Sequence, residues 1–457
     1  MNSKVNKLAI LGGEPIRDLN FTPRLPMQDA EKQAALKVLD QQVLSGFLAA
    51  PGQYFNGGKY LKEFESEWCK AYGFKHAIGV NSWTSGLMAI IGAIGIEPGD
   101  EVICPPYTMS ASATCVMFYG GIPVFADIET DSFCIDPVSI EEKITPRTKA
   151  IMVVHLFGGT ADMDRILEIA NKHDLKVIED AAQAPGVYYK GRAVGAIGDI
   201  GGFSMNFHKH IHTGEGGIIV TNNEDLALRS QLIRNHGENY VDHYPDISIE
   251  NTIGANYRMT ELTAAIGSAQ FNRLTGHTDH RDSLAKYLIK RLEPIEGLIT
   301  PMIREDCTHA WYLFALRYDE NKMGMPRSLF VEAVNAELPK PDSSSSIPMS
   351  EGYLRPLYLS RVYQEKIAIG SKGFPFNFND GVEYNYEKGL CPVTEKLYEK
   401  ELILSCLVRE PLSTEDIDDF VDAIEKVASN SVELMNALCA EYSDRPVQDT
   451  VDVASKT

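Results

Sequence analysis

Between Lys75 and Val220 short apolar runs alternate with longer stretches whose apolar positions recur at helical spacing. The runs 76–80, 101–106, 123–128, 149–158 and 175–180 read as strands, and the stretches 84–95 and 161–173 as helices, the second strongly amphipathic. Such alternation predicts an α/β architecture: a mostly parallel sheet wrapped by helices on both faces. In sheets of that kind ligands collect where strands end and helices begin, so the polar residues just after each apolar run are the first candidates for chemistry.

The basic, amphipathic stretch Gln270–Leu292 predicts a long connecting helix, after which the strand-like rhythm weakens. This divides the chain into an N-terminal arm (1–30), a large domain (31–275), a small C-terminal domain (276–430) and a tail (431–457). The Ser- and Pro-rich segment Lys340–Ser350 reads as a mobile loop and the polar stretch Asp444–Thr457 as a disordered tail. The segment from about Ala336 to Leu390 reads as an enlargement of the small domain. No internal repeat is present.

Composition narrows the function classes. A chain of 457 residues that is 44% hydrophobic can bury a large core. Its apolar runs fall far short of the roughly 20 residues needed to cross a bilayer, and residues 1–17 contain no apolar stretch of signal-peptide length, so the expected location is the cytoplasm. The formal net charge of -20 disfavours nucleic acid as a partner. Eight cysteines are scattered without a C-x-x-C pair, which points to reduced, mostly core residues and away from zinc or a disulfide framework.

Three clusters carry candidate chemistry. In the first, Phe203-Ser204 is followed by M-N-F-H-Lys209-H-I-H and then T-G-E-G-G. Lys209 sits on a loop leaving the sheet, between apolar strands and with little other charge nearby; desolvation there would lower its pKa and free the amine for imine formation. In the second, the run Leu175–Ile178 ends in Glu179-Asp180, followed by A-A-Gln183-A-P-G. Two readings fit Asp180: a helix N-cap, or a carboxylate that keeps a pyridinium nitrogen protonated and so makes the ring an electron sink. Gln183, one helical turn on, is either a solvent-facing helix residue or a donor to the ring's phenolic oxygen. In the third, N-S-W-Thr84-Ser85-G-L opens a helix directly after a strand, where hydroxyls and free N–H groups serve either as plain caps or as a phosphate site. Ser204 would supply the phosphate with a further donor.

Together with P-G-D-E-V-I-C-P-P-Y-T, P-V-F-A-D-I, R-N-H-G and Asn256-Y-R-M-T-E-L, these clusters resemble, from about Leu8 to about Asn430, the DegT/DnrJ/EryC1/StrS family of sugar aminotransferases. The resemblance implies a fold type I architecture of the aspartate aminotransferase superfamily, with a seven-stranded large-domain sheet and a smaller α+β domain. It implies pyridoxal 5'-phosphate held as a Schiff base on Lys209, Asp180 on the pyridine nitrogen, Gln183 on the phenolic oxygen, and Thr84, Ser85 and Ser204 on the phosphate. It also implies a homodimer in which Asn256 reaches the neighbouring subunit's phosphate. Met109 stands where the family usually places an aromatic residue over the ring, and a thioether can still pack on a π face.

The reaction so implied is ping-pong transfer of an amino group from glutamate or glutamine to a keto sugar, sugar nucleotide or keto cyclitol in amino sugar or polysaccharide biosynthesis. Lys209 would shuttle the proton. Family dehydratases carry histidine in place of this lysine, so a sugar dehydratase is the alternative reading, beside a non-catalytic sensor built on the same fold. His208, His210 and His212 flank the lysine and are read as neighbours of cofactor or substrate, with no metal expected. The G-x-x-G-x-x-G of Gly195–Gly201 does not fit the dinucleotide fingerprint, which argues against a nicotinamide enzyme.

Overall fold

The computed structural model describes residues 7–246, 248–340 and 347–442. The centre of the Ser/Pro-rich segment and the tail Asp444–Thr457 lie outside the described residues. Strands β1 (His76–Val80), β2 (Glu101–Cys104), β3 (Ile122–Phe125), β4 (Thr148–Val154) and β5 (Lys176–Asp180) match the apolar runs. They are followed by a small hairpin, β6 (Tyr188–Tyr189) and β7 (Arg192–Ala193), and by β8 (Ile200–Ser204) and β9 (Gly217–Thr221).

Seven strands form one sheet in the order β1-β9-β8-β5-β4-β2-β3. β9 runs antiparallel to both neighbours, and the pairs β8-β5, β5-β4, β4-β2 and β2-β3 are parallel. Burial on both faces explains the near-continuous apolar runs; every residue of β2, β8 and β9 is buried. Gly217 is required at the start of β9, because a Cβ there would lie 2.9 Å from the Trp83 backbone.

A second, antiparallel sheet has the order β10 (Leu298–Ile299), β11 (Phe314–Tyr318), β13 (Leu402–Ser405), β12 (Met349–Glu351). Its core includes Leu316, Phe330, Ile403 and Phe420 and is distinct from the cluster on the main sheet. The helix Leu274–Leu292 covers most of the predicted stretch and buries Leu284, Leu288 and Leu292 in this second core. The N-terminal arm also belongs there: Leu8 and Phe21 are buried in it, and Arg17 pairs with Asp416 at 2.7 Å.

Two local expectations change. No helix follows β5; residues 181–187 form turns, with Ala184 N–H donating to Ala181 O, because Pro185 lacks a donor and disfavours helix before it. The segment read as a small-domain enlargement begins in the second sheet as β12. From Tyr353 to Tyr398, however, its buried aromatics, Tyr358, Tyr363, Phe376 and Tyr386 among them, join the core of the main sheet. The reason is aromatic surface: Phe125 of β3 contacts the rings of Tyr358, Tyr363 and Tyr386. Of the seven cysteines whose side chains are described none forms a disulfide, and five are buried.

Candidate active site

The carboxyl ends of β5 and β8 and the start of the helix Trp83–Ala93 converge on one pocket of about 630 Å³, partly open to solvent. Lys209, Asp180, Gln183, Thr84, Ser204 and Met109 all line it. Parallel neighbours β5 and β8 bring Asp180 and Ser204 to the same sheet edge, although 24 residues separate them.

Asp180 is buried and fixed by three donors. Trp83 Nε1 donates to Oδ1 at 2.8 Å, Ser112 Oγ to Oδ2 at 2.7 Å, and Ala182 N to Oδ1 at 3.1 Å. With no helix after β5, Asp180 is not a helix N-cap; it accepts from Ala182 N–H in the turn and lines the pocket. Trp83 and Ser112 were not singled out from sequence. The usable signal is positional: each lies at or just inside a helix N-terminus that follows a sheet strand.

Lys209 stands on the loop between β8 and β9, which closes through Met205 N–H to Gly216 O and Thr213 N–H to Met205 O. Its side chain is buried, with Nζ 4.3 Å from the centroid of the Tyr312 ring. Burial lowers its pKa to about 8, partly opposed by the Asp180 charge, so about a tenth of the amine is neutral at pH 7, far more than for an ordinary lysine. From the N-terminal arm Arg24 clamps the loop, donating to Lys209 O at 2.6 Å and to His210 O. Nothing in the F-T-P-R-L-P sequence marks that contact.

The three histidines diverge. His208 lines the pocket, and burial together with the Lys209 charge lowers its pKa to about 3, leaving a neutral imidazole. His210 faces Ala310 O through Nε2 at 2.7 Å, and His212 Nδ1 accepts from Gly214 N–H at 3.2 Å. Among the described residues no group of three His, Cys, Asp or Glu is placed to hold a metal.

Gln183 is buried with Oε1 accepting from Phe157 N–H at 2.7 Å and Nε2 donating to Tyr353 Oη at 3.2 Å. Met109 is half exposed at the rim, its sulfur 3.1 Å from Ala111 N. The helix after β1 is capped by Ser82, which accepts from Ser85 N–H, and not by Thr84 or Ser85. Ser85 does not line the pocket; its hydroxyl donates to Asn81 Oδ1 at 2.6 Å and braces the turn. Asn256 also lies outside it, exposed, with Oδ1 accepting from Arg258 Nε at 2.8 Å and its carbonyl accepting from Asn81 Nδ2.

The donor set suits pyridoxal phosphate. A buried carboxylate can face a ring nitrogen, a desolvated amine an aldehyde, and the Thr84 and Ser204 hydroxyls beside a helix N-terminus a phosphate. Buried and without partners, Asn206 Oδ1 and His208 Nδ1 also border this space.

A model of the DegT/DnrJ/EryC1/StrS aminotransferase family matches residues 40–376. The chain is 34% identical to the spore coat polysaccharide biosynthesis protein SpsC of Bacillus subtilis, over 83% of this chain and 92% of that protein. It is 32% identical to an L-glutamine:2-deoxy-scyllo-inosose aminotransferase of Streptoalloteichus tenebrarius, covering 80% and 86% respectively. The crystal structure of an aminotransferase from Psychrobacter cryohalolentis superposes with a TM-score of 0.74 at 31% identity, over 90% of this chain and 99% of that one.

Proposed function

Because the chain belongs to the DegT/DnrJ/EryC1/StrS aminotransferase family, we propose that it moves the amino group of glutamate or glutamine onto a keto sugar, sugar nucleotide or keto cyclitol, with Lys209 as the residue that carries its pyridoxal phosphate. The observation that carries the reading is one pocket in which a buried amine, a triply hydrogen-bonded carboxylate and a row of hydroxyls face the same space.

When bound, the cofactor supplies an electron sink for the carbon that loses its proton. The protein supplies the rest. The Lys209 amine, with its lowered pKa, takes the proton from the donor carbon and returns it as acid. Asp180, held by Trp83 and Ser112, keeps a proton on the ring nitrogen. Gln183 offers an N–H toward the phenolic oxygen, and Thr84 and Ser204 hold the phosphate. Among the described residues no helix is long and apolar enough to cross a membrane.

The direct test supplies glutamate or glutamine and a panel of keto sugars, sugar nucleotides and keto cyclitols to the purified protein. Mass spectrometry is expected to detect an aminated product with at least one acceptor, together with the matching oxo acid from the donor. Amino transfer to none of them would overturn the substrate assignment.

The reading extends to a homodimer. The helix Asp29–Gln41 and the residues after it expose Leu36, Leu39, Val43, Leu44 and Leu48, and Ile249 and Ile253 are exposed close to Asn256. These stretches are linked, since Glu261 N–H donates to Leu44 O and Asn235 Nδ2 to Leu48 O. Clustered exposed apolar side chains mark an interaction surface. A second copy is the occupant that would also bring Asn256 to the neighbouring phosphate. Co-expression of Lys209→Ala and Asn256→Ala chains, each inactive alone, is then expected to restore up to about a quarter of wild-type activity, because half the dimers are hybrids with one intact site. A mixture as inactive as its parents would place Asn256 in its own chain's site or in none.

A further inference from the structure

After β12 the chain leaves the second sheet and at Tyr353 packs against the pocket residue Gln183, among residues of the main sheet's loops. Tyr353 is buried, its N–H donates to Tyr107 Oη at 2.9 Å, and its ring meets Phe157 and Tyr107 edge-on at 5.1 and 5.9 Å. Its hydroxyl is the acceptor for Gln183 Nε2.

The orientation of the Gln183 amide follows from its partners. A backbone N–H can only donate, so the Gln183 atom facing Phe157 N is the carbonyl oxygen. The NH2 end therefore faces Tyr353 and the pocket, with one hydrogen used by Tyr353 and the other available to a ligand. With burial pushing its pKa up to about 12, Tyr353 is a neutral phenol near neutral pH and works as a hydrogen-bond partner.

We propose that Tyr353 is a positioning residue: by anchoring the Gln183 amide it aims that amide's remaining N–H at the cofactor's phenolic oxygen, so the Tyr353–Tyr398 segment takes part in setting the cofactor's electronics. The proposal rests on the aminotransferase reading above. A donor on the phenolic oxygen draws off negative charge that would otherwise hold the proton of the covalent linkage.

The test is a pH titration of the colour of the holoenzyme and of its Tyr353→Phe variant. Phenylalanine keeps the ring against Phe157 and Tyr107 and removes only the hydroxyl, leaving Gln183 anchored at one end. The phenolic oxygen then holds the linkage proton more tightly, and the midpoint of the colour change rises by about 0.5 to 1 pH unit, with kcat falling more than KM rises. A folded, coloured Tyr353→Phe protein with an unmoved midpoint overturns the proposal. Should that variant fail to fold, Tyr107→Phe removes the acceptor of the Tyr353 N–H and is expected to shift the midpoint the same way; no shift there overturns it equally. A wild-type protein that takes up no pyridoxal phosphate would instead overturn the aminotransferase reading, and the proposal with it.

Discussion

Lys209→Ala is expected to lower amino transfer by about 10⁴-fold or more, since it removes both the proton shuttle and the covalent anchor. The geometry leaves no substitute. The neighbouring base, His208, is held neutral with a pKa near 3, and His210 is committed to Ala310 O. The substitution should not cost stability. A buried amine with a lowered pKa is partly desolvated in the folded state, and alanine removes that penalty while the loop stays clamped by Arg24 and closed between Met205 and Gly216. The measurements are turnover, thermal unfolding and intact mass after borohydride. Wild type gains the mass of the reduced cofactor at Lys209 and the variant gains none. A variant that still fixes the cofactor covalently would show that another amine carries it.

Asp180→Asn is the second large effect, expected at about 10²- to 10³-fold in kcat. Its cause can be read from the hydrogen bonds. Trp83 Nε1 and Ser112 Oγ each give a proton to a different carboxylate oxygen. An asparagine can keep these contacts, its oxygen accepting from Trp83 and Ala182 and its NH2 donating to a turned Ser112 hydroxyl, so what is lost is the charge that keeps the ring nitrogen protonated. Losing one partner of a buried charged pair costs roughly 3–5 kcal/mol, and a decade of rate corresponds to about 1.4 kcal/mol. Single-turnover rates with saturating cofactor separate the electronic loss from weaker binding. If kcat is unchanged and only cofactor affinity falls, Asp180 serves to hold the ring and does not tune it.

Periodicity exposed the main sheet because its strands are short, apolar and separated by amphipathic helices; the runs 76–80, 101–106, 149–158 and 175–180 each hold a strand, with 101–106 and 149–158 extending two and four residues past its end. Lys209, Asp180, Gln183, Thr84 and Ser204, which line the pocket, could be singled out from sequence because each ends or closely follows a strand, where position along the chain predicts position in space; Met109 came from the family resemblance alone. The contacts that were missed are those made over long sequence distances. Ser112 reaches Asp180 across 68 residues, Tyr353 reaches Gln183 across 170, and Arg24 reaches the Lys209 loop across 185. Local pattern carries no record of such pairings, since an arginine in a polar arm or a serine in a helix is unremarkable until the fold brings its partner alongside. The turn after β5 departs from the helix that A-A-Q-A suggests for a simpler reason: Pro185 disfavours helical backbone at the residue before it.

The aromatic segment that supplies Tyr353 also alters how the protein meets its own kind. β3 is the last strand of the main sheet, and a bare terminal strand invites a foreign one to pair with it. Here Pro123 offers no amide proton, its carbonyl accepts from Tyr386 Oη at 2.8 Å, and Asn379 Nδ2 takes up Gly99 O just before β2. Shortening this excursion would therefore uncover a sticky margin, and loss of solubility in such deletions need not mean that the active site has been damaged.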